Sequence, residues 1–426
     1  VVEGSVRKSG NSVRVTAQLI DVESDAHIWS ETYEREIDNV FAIQSDVAGQ
    51  IARVLSTALS TDELSLIGER PTDSLGAWQN FVSARSLYRG RVTRADLESA
   101  MSFVNASIEE DPDFARAHAL RAALLLAIAI NTEPADPNPG RFQTAYDAAN
   151  LSLSMAPQLG EPYFILAYGA FMEGRLGDAD HYFREAIVRA PNNADGRNWY
   201  GTFLLTTGYL RDAWAEKQRA AALDPLSPII SWQVAFAALI AGHDTVVRDF
   251  AAKSRENGWS SWEPRVLEAG TYWQQRRYDE VEAHYYDVFP GQTEQIAKAF
   301  NAVRKRHIDS DTRRMLDGLM AYGPPVVARF QIEVHAGDMD AAFATAWSVV
   351  SLRSVGNSPG VGRVQMPADG MTAVGIRPDW WGSSVSEFRQ DPRFIELVTA
   401  AGLMDFWKEH GWPDLCQPVG DAVQCR

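Results

Sequence analysis

The chain has 426 residues, 56 acidic against 40 basic, a formal net charge of −16, and 46% hydrophobic side chains. Ordinary globular composition at this length implies two or three folding units and enough apolar mass for a substantial core. The acidic balance argues against a surface that grips phosphate backbones, and no run of about 18 apolar residues offers a membrane span.

Residues 1–36 alternate with a period of two. In Ser12-Val13-Arg14-Val15-Thr16-Ala17-Gln18-Leu19 the apolar side chains take every second position, which predicts a half-buried strand. Ser9-Gly10-Asn11-Ser12 is turn chemistry joining this run to the one before it, so a hairpin is predicted. Ala26–Tyr33 reads as a third strand after Glu23-Ser24-Asp25. The period then changes: Val40, Ile43, Val47, Ile51, Val54 and Leu55 mark one face of a helix, with Asp38 or Asn39 placed to cap it. Three strands and a helix make a small truncated α/β unit over 1–59. The opening on Val1, inside a predicted strand and without Met, leads us to expect a longer parent polypeptide. The runs Val2-Glu3-Gly4-Ser5-Val6-Arg7-Lys8, Val13–Asp21 and Ile28-Trp29-Ser30-Glu31 resemble the later half of the TolB-like amino-terminal domain of bacterial multidomain regulators.

Residues 60–75 read as a polar linker broken by Pro71, Asp73 and Ser74. From 76 to 350 helical patterning dominates. Pro157, Pro191 and Pro225 recur every 34 residues, the period of tetratricopeptide helical hairpins, which this region resembles. Ala167, Ala179 and Ala186 are small where paired helices approach, Phe183 fills space between hairpins, and Gly174 and Gly208 stand at the turns. Each proline ends a second helix because it has no N–H to donate. Less regular units cover about 78–112, then 115–157 with a Pro-rich insertion at 134–140, then the stretches around Ala235–Gly242, around Ala269–Tyr285, and 324–350. The expected fold is therefore mostly α: six or seven hairpins in a right-handed superhelix, preceded by the small α/β unit. The basic run Arg304-Lys305-Arg306-His307 is read as a solvated helix end, since Asp309 and Asp311 follow at once.

Residues 351–426 break the pattern. A Gly-, Pro- and Ser-rich loop at about 354–370 precedes short helices near 384–400 and 403–410, expected to cap the exposed end of the array. Cys416 and Cys425 are the two cysteines. Paired, they close a small ring and point to an oxidising compartment; unpaired, they are two thiols on a tail. Gly356-Asn357-Ser358-Pro359-Gly360 fits a nucleophile elbow in letters only, because Pro359 lacks the backbone N–H that an oxyanion needs. Gly360-Val361-Gly362 is too short for a dinucleotide loop. No phosphate-binding loop, zinc motif or cofactor signature is present, so no catalytic residue, metal or cofactor is expected.

Repeat stacks bind through the concave surface of their first helices. The register places Phe164, Tyr168 and Phe171, then Asn198, Thr202 and Leu205, then Trp232, Phe236 and Leu239, and finally Trp273 on that groove or against its neighbours. Repeats of this family that hold acidic carboxy-terminal tails carry paired Lys and Asn. The matching lysines are missing, so the expected ligand is a protein or peptide with an apolar or helical segment. A TolB-like segment joined to such repeats, with Arg70-Pro71-Thr72 at the linker and Gly411-Trp412-Pro413-Asp414 in the tail, resembles the carboxy-terminal region of bacterial class III adenylate cyclases and of CadC-like winged-helix regulators. The resemblance implies a non-catalytic sensory module, with dimerisation as a further expectation. Periplasmic placement is implied if a membrane helix lies upstream, and cytoplasmic placement otherwise. A structural assembly platform and an enzyme with an unrecognised site are the competing readings.

Overall fold

The computed structural model describes residues 2–21, 24, 26–36, 46–47, 49–50, 71–89, 94–132, 142–259, 262–319, 325–354, 378–420 and 422–426. The chain divides into two compact units, one of residues 1–81 with 106–114, the other of 82–105 with 115–426. The helix expected from Val40 to Leu55 lies almost wholly outside the described residues, as do the 134–140 insertion and the Gly356–Gly360 segment.

In the first unit, β1 (Val2–Ser9), β2 (Ser12–Ile20) and β3 (His27–Glu36) form an antiparallel meander in the order β1-β2-β3. The alternation seen in sequence sorts the two faces. Val13, Ala17 and Leu19 of β2 are buried with Tyr33 of β3. On the other face, Arg14 pairs with Glu34 at 2.8 Å and the Thr16 and Thr32 hydroxyls meet at 3.2 Å. A separate aromatic cluster joins Trp78, Phe81 and Phe114, and the Ser107 hydroxyl donates to the Ala77 carbonyl at 2.7 Å.

Helices α1 (Leu75–Arg89) and α2 (Arg94–Glu110) run across the boundary between the units. The second unit then continues as successive antiparallel hairpins. They are α3 (Ala115–Thr132) with α4 (Gln143–Met155), α5 (Glu161–Met172) with α6 (Leu176–Arg189), and α7 (Ala194–Thr207) with α8 (Leu210–Leu223). They continue as α9 (Pro228–Ala241) with α10 (Asp244–Glu256), α11 (Glu263–Gln274) with α12 (Tyr278–Val288), α13 (Thr293–Lys305) with α14 (Ser310–Leu319), and α15 (Pro325–His335) with α16 (Met339–Ser354). This is a mostly helical, tetratricopeptide-type stack preceded by a small sheet. The α13–α14 hairpin has no counterpart among the individual repeats read from sequence.

The turns explain the register. Gly174, Gly208, Gly242 and Arg276 have positive φ, each 34 residues after the last. A left-handed residue there ends the first helix, and its N–H bonds back into that helix, as Gly208 does to Leu205 at 3.4 Å. Small residues set hairpin-to-hairpin spacing. A Cβ on Gly196 would fall 2.3 Å from the Phe164 ring, so α7 approaches α5 only because that position is bare.

After α16 the described chain resumes with two 3-10 turns, Pro378–Trp381 and Ser383–Val385. It continues as α17 (Ser386–Gln390), α18 (Arg393–Ala400), α19 (Leu403–His410) and the hairpin β4 (Cys416–Val419) with β5 (Ala422–Cys425). Cys416 and Cys425 sit directly opposite each other, their Cα atoms 4.1 Å apart, joined by a disulfide.

Candidate binding surface

Eight of the ten side chains placed on the groove or against its neighbours are buried: Phe164, Tyr168, Phe171, Asn198, Thr202, Leu205, Trp232 and Trp273. Phe236 and Leu239 are half-buried. The cause is the tight stacking of first helices on one another. Tyr168 meets Trp199 at 5.1 Å between ring centres, Phe171 meets Phe203 at 5.5 Å, and Trp273 stacks on Phe300 at 5.2 Å. Packing, not an open lining, takes most of these rings.

Asn198 and Thr202 have a different task that the sequence reading missed. They surround the ammonium of Lys217, a fully buried side chain from α8. Its Nζ donates to the Asn198 carbonyl at 2.8 Å, to Asn198 Oδ1 at 2.7 Å, to Thr202 Oγ1 at 2.7 Å and to Gln233 Oε1 at 3.0 Å. Burial pushes the lysine pKa well below its ordinary range. Room for the stem comes from Gly201, where a Cβ would lie 3.1 Å from the Lys217 methylenes. Beside it, Arg197 and Glu216 form a largely buried ion pair at 2.6 Å. A polar pin thus joins α7, α8 and α9. The signal available in sequence was the polar triplet Asn198, Thr202 and Gln233 at inward-facing positions, with Gly201 opposite.

The carboxy-terminal segment does more than cap the last repeat. Near α15 and α16, Phe388 packs on Phe330 at 4.9 Å and on Phe343 at 4.3 Å, and Arg393 pairs with Asp340 at 2.7 Å. The same segment reaches the middle of the stack. The Trp381 and Trp407 indole N–H groups donate to the carbonyls of Thr206 at 3.1 Å and Thr207 at 2.9 Å. Those carbonyls belong to the last turn of α7, where helical partners run out, so two tryptophans cap that helix. Asp414 accepts from the Arg211 backbone N–H at 3.0 Å and pairs with its guanidinium, while the Asp414 N–H donates to the Gly208 carbonyl at 3.2 Å. Arg389 holds the segment together, donating to the carbonyls of Trp380 at 2.7 Å, Gly382 at 2.6 Å and Arg426 at 2.9 Å. Burial lowers its pKa to about 10.

What remains partly exposed is the flank of an aromatic ladder on the fifth pair of helices. Phe236, Trp232 and Trp259 stack in turn, with centres 5.9 Å apart and planes 12° and 8° from parallel. Trp232 Nε1 is buried without a hydrogen-bond partner among the described residues. An orphan buried donor is rare in native interiors and calls for an explanation. Half-buried Phe236, Leu239 and Trp259 flank it.

A second, polar cleft of about 300 Å³ lies between the turns at Arg306–Ile308 and Ala336–Asp340. Its carboxylates Asp338 and Asp340 are engaged by Arg313 and Arg393. Within the basic run, Arg304 lies in the last turn of α13 and pairs with Asp279 and Glu282, both at 2.5 Å. Among the described residues no group of three or more His, Cys, Asp or Glu side chains is arranged to hold a metal ion, and no helix is long and apolar enough to cross a membrane.

No family model matches the chain. A stretch of 181 residues, 42% of the chain, is 29% identical to "Putative adenylate cyclase 3" of Rhizobium meliloti (strain 1021) and spans 30% of that protein's length. Among solved structures, TTC0263, a thermophilic TPR protein of Thermus thermophilus, is 19% identical; the match covers 46% of this chain and 98% of that one, with a TM-score of 0.36. Pseudomonas aeruginosa pilF is 16% identical over 55% of this chain and 94% of that one, with a TM-score of 0.33. YrrB, a TPR protein with an unusual peptide-binding site, is 14% identical over 49% and 97%, with a TM-score of 0.27. Two of these three structures are described as TPR proteins. The hairpin pairing and the 34-residue spacing of left-handed turns establish the fold without them.

Proposed function

We propose that this chain is a non-catalytic binding scaffold, the ligand-reading part of a bacterial signalling protein whose output domain is an adenylate cyclase or a transcriptional regulator. The observation that carries the binding role is the Phe236–Trp232–Trp259 ladder with its orphan indole N–H. An apolar peptide laid on the ladder buries the half-exposed rings of Phe236 and Trp259, which Trp232 supports from beneath. The signalling role is supported by the partial likeness to a protein named as a cyclase, together with the TolB-like and repeat-region resemblances. The disulfide between Cys416 and Cys425 favours an oxidising compartment such as the periplasm.

The test is selection of helical and apolar peptides from a displayed library on the purified chain. Binders that lose about fivefold in affinity on Trp232→Phe, with the fold unchanged by circular dichroism, support the ladder as the anchor. Binders indifferent to Trp232, Phe236 and Leu239 overturn it. The same purified chain is expected to make no cyclic AMP from ATP, and measurable turnover refutes the non-catalytic reading.

A further inference from the structure

The sheet of the first unit ends on β1, which pairs with β2 alone among the described residues. All eight of its residues are exposed, Val2 and Val6 at 50% and 70%. A strand of this length, with its outer main chain unpaired and apolar side chains in the open, is a template for another strand.

The turn decides which groups face outward. Gly10, at φ +60°, and Asn11 form a two-residue loop between the paired Ser9 and Ser12. That loop makes Ser9 and Ser12 a hydrogen-bonded pair, so the odd-numbered residues of β1 bond to β2. The N–H and C=O groups of Val2, Gly4, Val6 and Lys8 therefore point to the free edge. A second copy of β1 running antiparallel satisfies them in any register that pairs even residues with even. Centring on Ser5 overlaps residues 2–8, as many as centring on Val6, and it also matches charge. It sets Glu3 opposite Arg7 of the second copy at both ends of the pair, and Val6 opposite Gly4. Centring one residue earlier or later leaves Glu3 or Arg7 facing Ser5 instead. The other edge, β3, also holds a Glu and an Arg four apart, Glu31 and Arg35. It is the more acidic strand, however, its Glu34 is already paired with Arg14, and its central Tyr33 is buried where Ser5 of β1 is exposed.

We propose that two copies of this chain associate through β1, antiparallel and centred on Ser5, to make one continuous six-stranded sheet. The contact is isologous and closes on itself, whereas β1 against β3 of another copy is head-to-tail and grows without limit.

The test uses the whole 426-residue chain in sedimentation equilibrium. A monomer–dimer equilibrium is expected, weakened about tenfold by Glu3→Arg or Arg7→Glu, each of which faces two like charges across the pair. The double variant Glu3→Arg/Arg7→Glu restores it, a result that loss of folding does not produce. Ser5→Cys adds the one free thiol and places it at a non-hydrogen-bonded pair with Cα atoms about 4.5 Å apart, so mild oxidation yields a covalent dimer. A chain that stays monomeric, single charge variants that dimerise like the parent, species growing past the dimer, or Ser5→Cys that does not cross-link each overturn the proposal.

Discussion

Replacing Lys217 by Met removes the ammonium and keeps the stem that packs on Gly201. The Thr202 hydroxyl reaches both the Asn198 carbonyl at 3.1 Å and Gln233 Oε1 at 3.4 Å; with its one proton on the nearer carbonyl, the oxygens left without a donor are Asn198 Oδ1 and Gln233 Oε1. At about 1 to 3 kcal/mol for each orphaned buried acceptor, the gross cost is about 4 kcal/mol. None of the groups that accept from this ammonium is a carboxylate, so removing it returns about 2 kcal/mol of desolvation. Lys217→Met is therefore expected to destabilise the stack by about 2 kcal/mol, measured by urea unfolding at tryptophan fluorescence. Adding Asn198→Leu and Gln233→Leu removes the orphaned acceptors and should recover most of that loss. The pH dependence has a definite sign. Because burial depresses the folded pKa, the cost of burying the charge is fully present below that pKa and fades as pH rises through it toward the ordinary lysine range. Wild type should gain on Lys217→Met as pH rises through that window. A Lys217→Met protein as stable as wild type at neutral pH refutes the polar pin.

Gly208→Ala puts a Cβ on a residue at φ +93°, 3.0 Å from Pro413 Cβ and 3.2 Å from the Trp381 ring. A loss of about 2 kcal/mol is expected, with residues 378–426 becoming the first site of limited proteolysis. Reducing the disulfide reopens a loop with a sequence separation of 9, which weakens the β4–β5 hairpin. The loss is about 2.5 kcal/mol, and amide exchange should rise over 411–426 while α7 stays protected. Burial lowers the His335 pKa from 6.5 to about 4, helped by Arg276, and its Nδ1 meets the Tyr278 hydroxyl at 3.0 Å. The unfolded chain takes up this proton first, so stability falls as pH drops from 6.5 to about 4, by about 3 kcal/mol in all. His335→Phe should flatten that acid limb in urea titrations.

The repeat register was legible where its punctuation was ordinary. Pro157, Pro191 and Pro225 marked helix ends, and Gly174, Gly208 and Gly242 marked turns. The next two turns use arginine, Arg276 at φ 55° and Arg306 at φ 49°, in a conformation that composition does not announce. The α13–α14 hairpin has Pro290-Gly291 before it, but its internal turn, Arg306 to Asp309, holds neither glycine nor proline, so nothing local marked where one helix gives way to the next. Lys217 escaped for a related reason. A lysine on an amphipathic helix is normally solvated, and only the polar residues of two other helices reveal that this one is not. The groove positions were legible as a helix face, but whether a face is open depends on what else lands on it. Here Phe203, Phe300 and Trp199 come from neighbouring repeats, and the two capping tryptophans from about 175 and 200 residues away.

A solenoid whose repeats touch only their neighbours can fold as it is synthesised, each hairpin settling on the last. The tryptophans that cap α7 break that rule. Trp381 and Trp407 leave the ribosome long after Thr206 and Thr207, so the end of α7 waits uncapped through the making of about ten further helices. A premature stop that removes Trp381 and Trp407 is then expected to unsettle the centre of the array, where losing a terminal repeat from a simple solenoid leaves the rest standing.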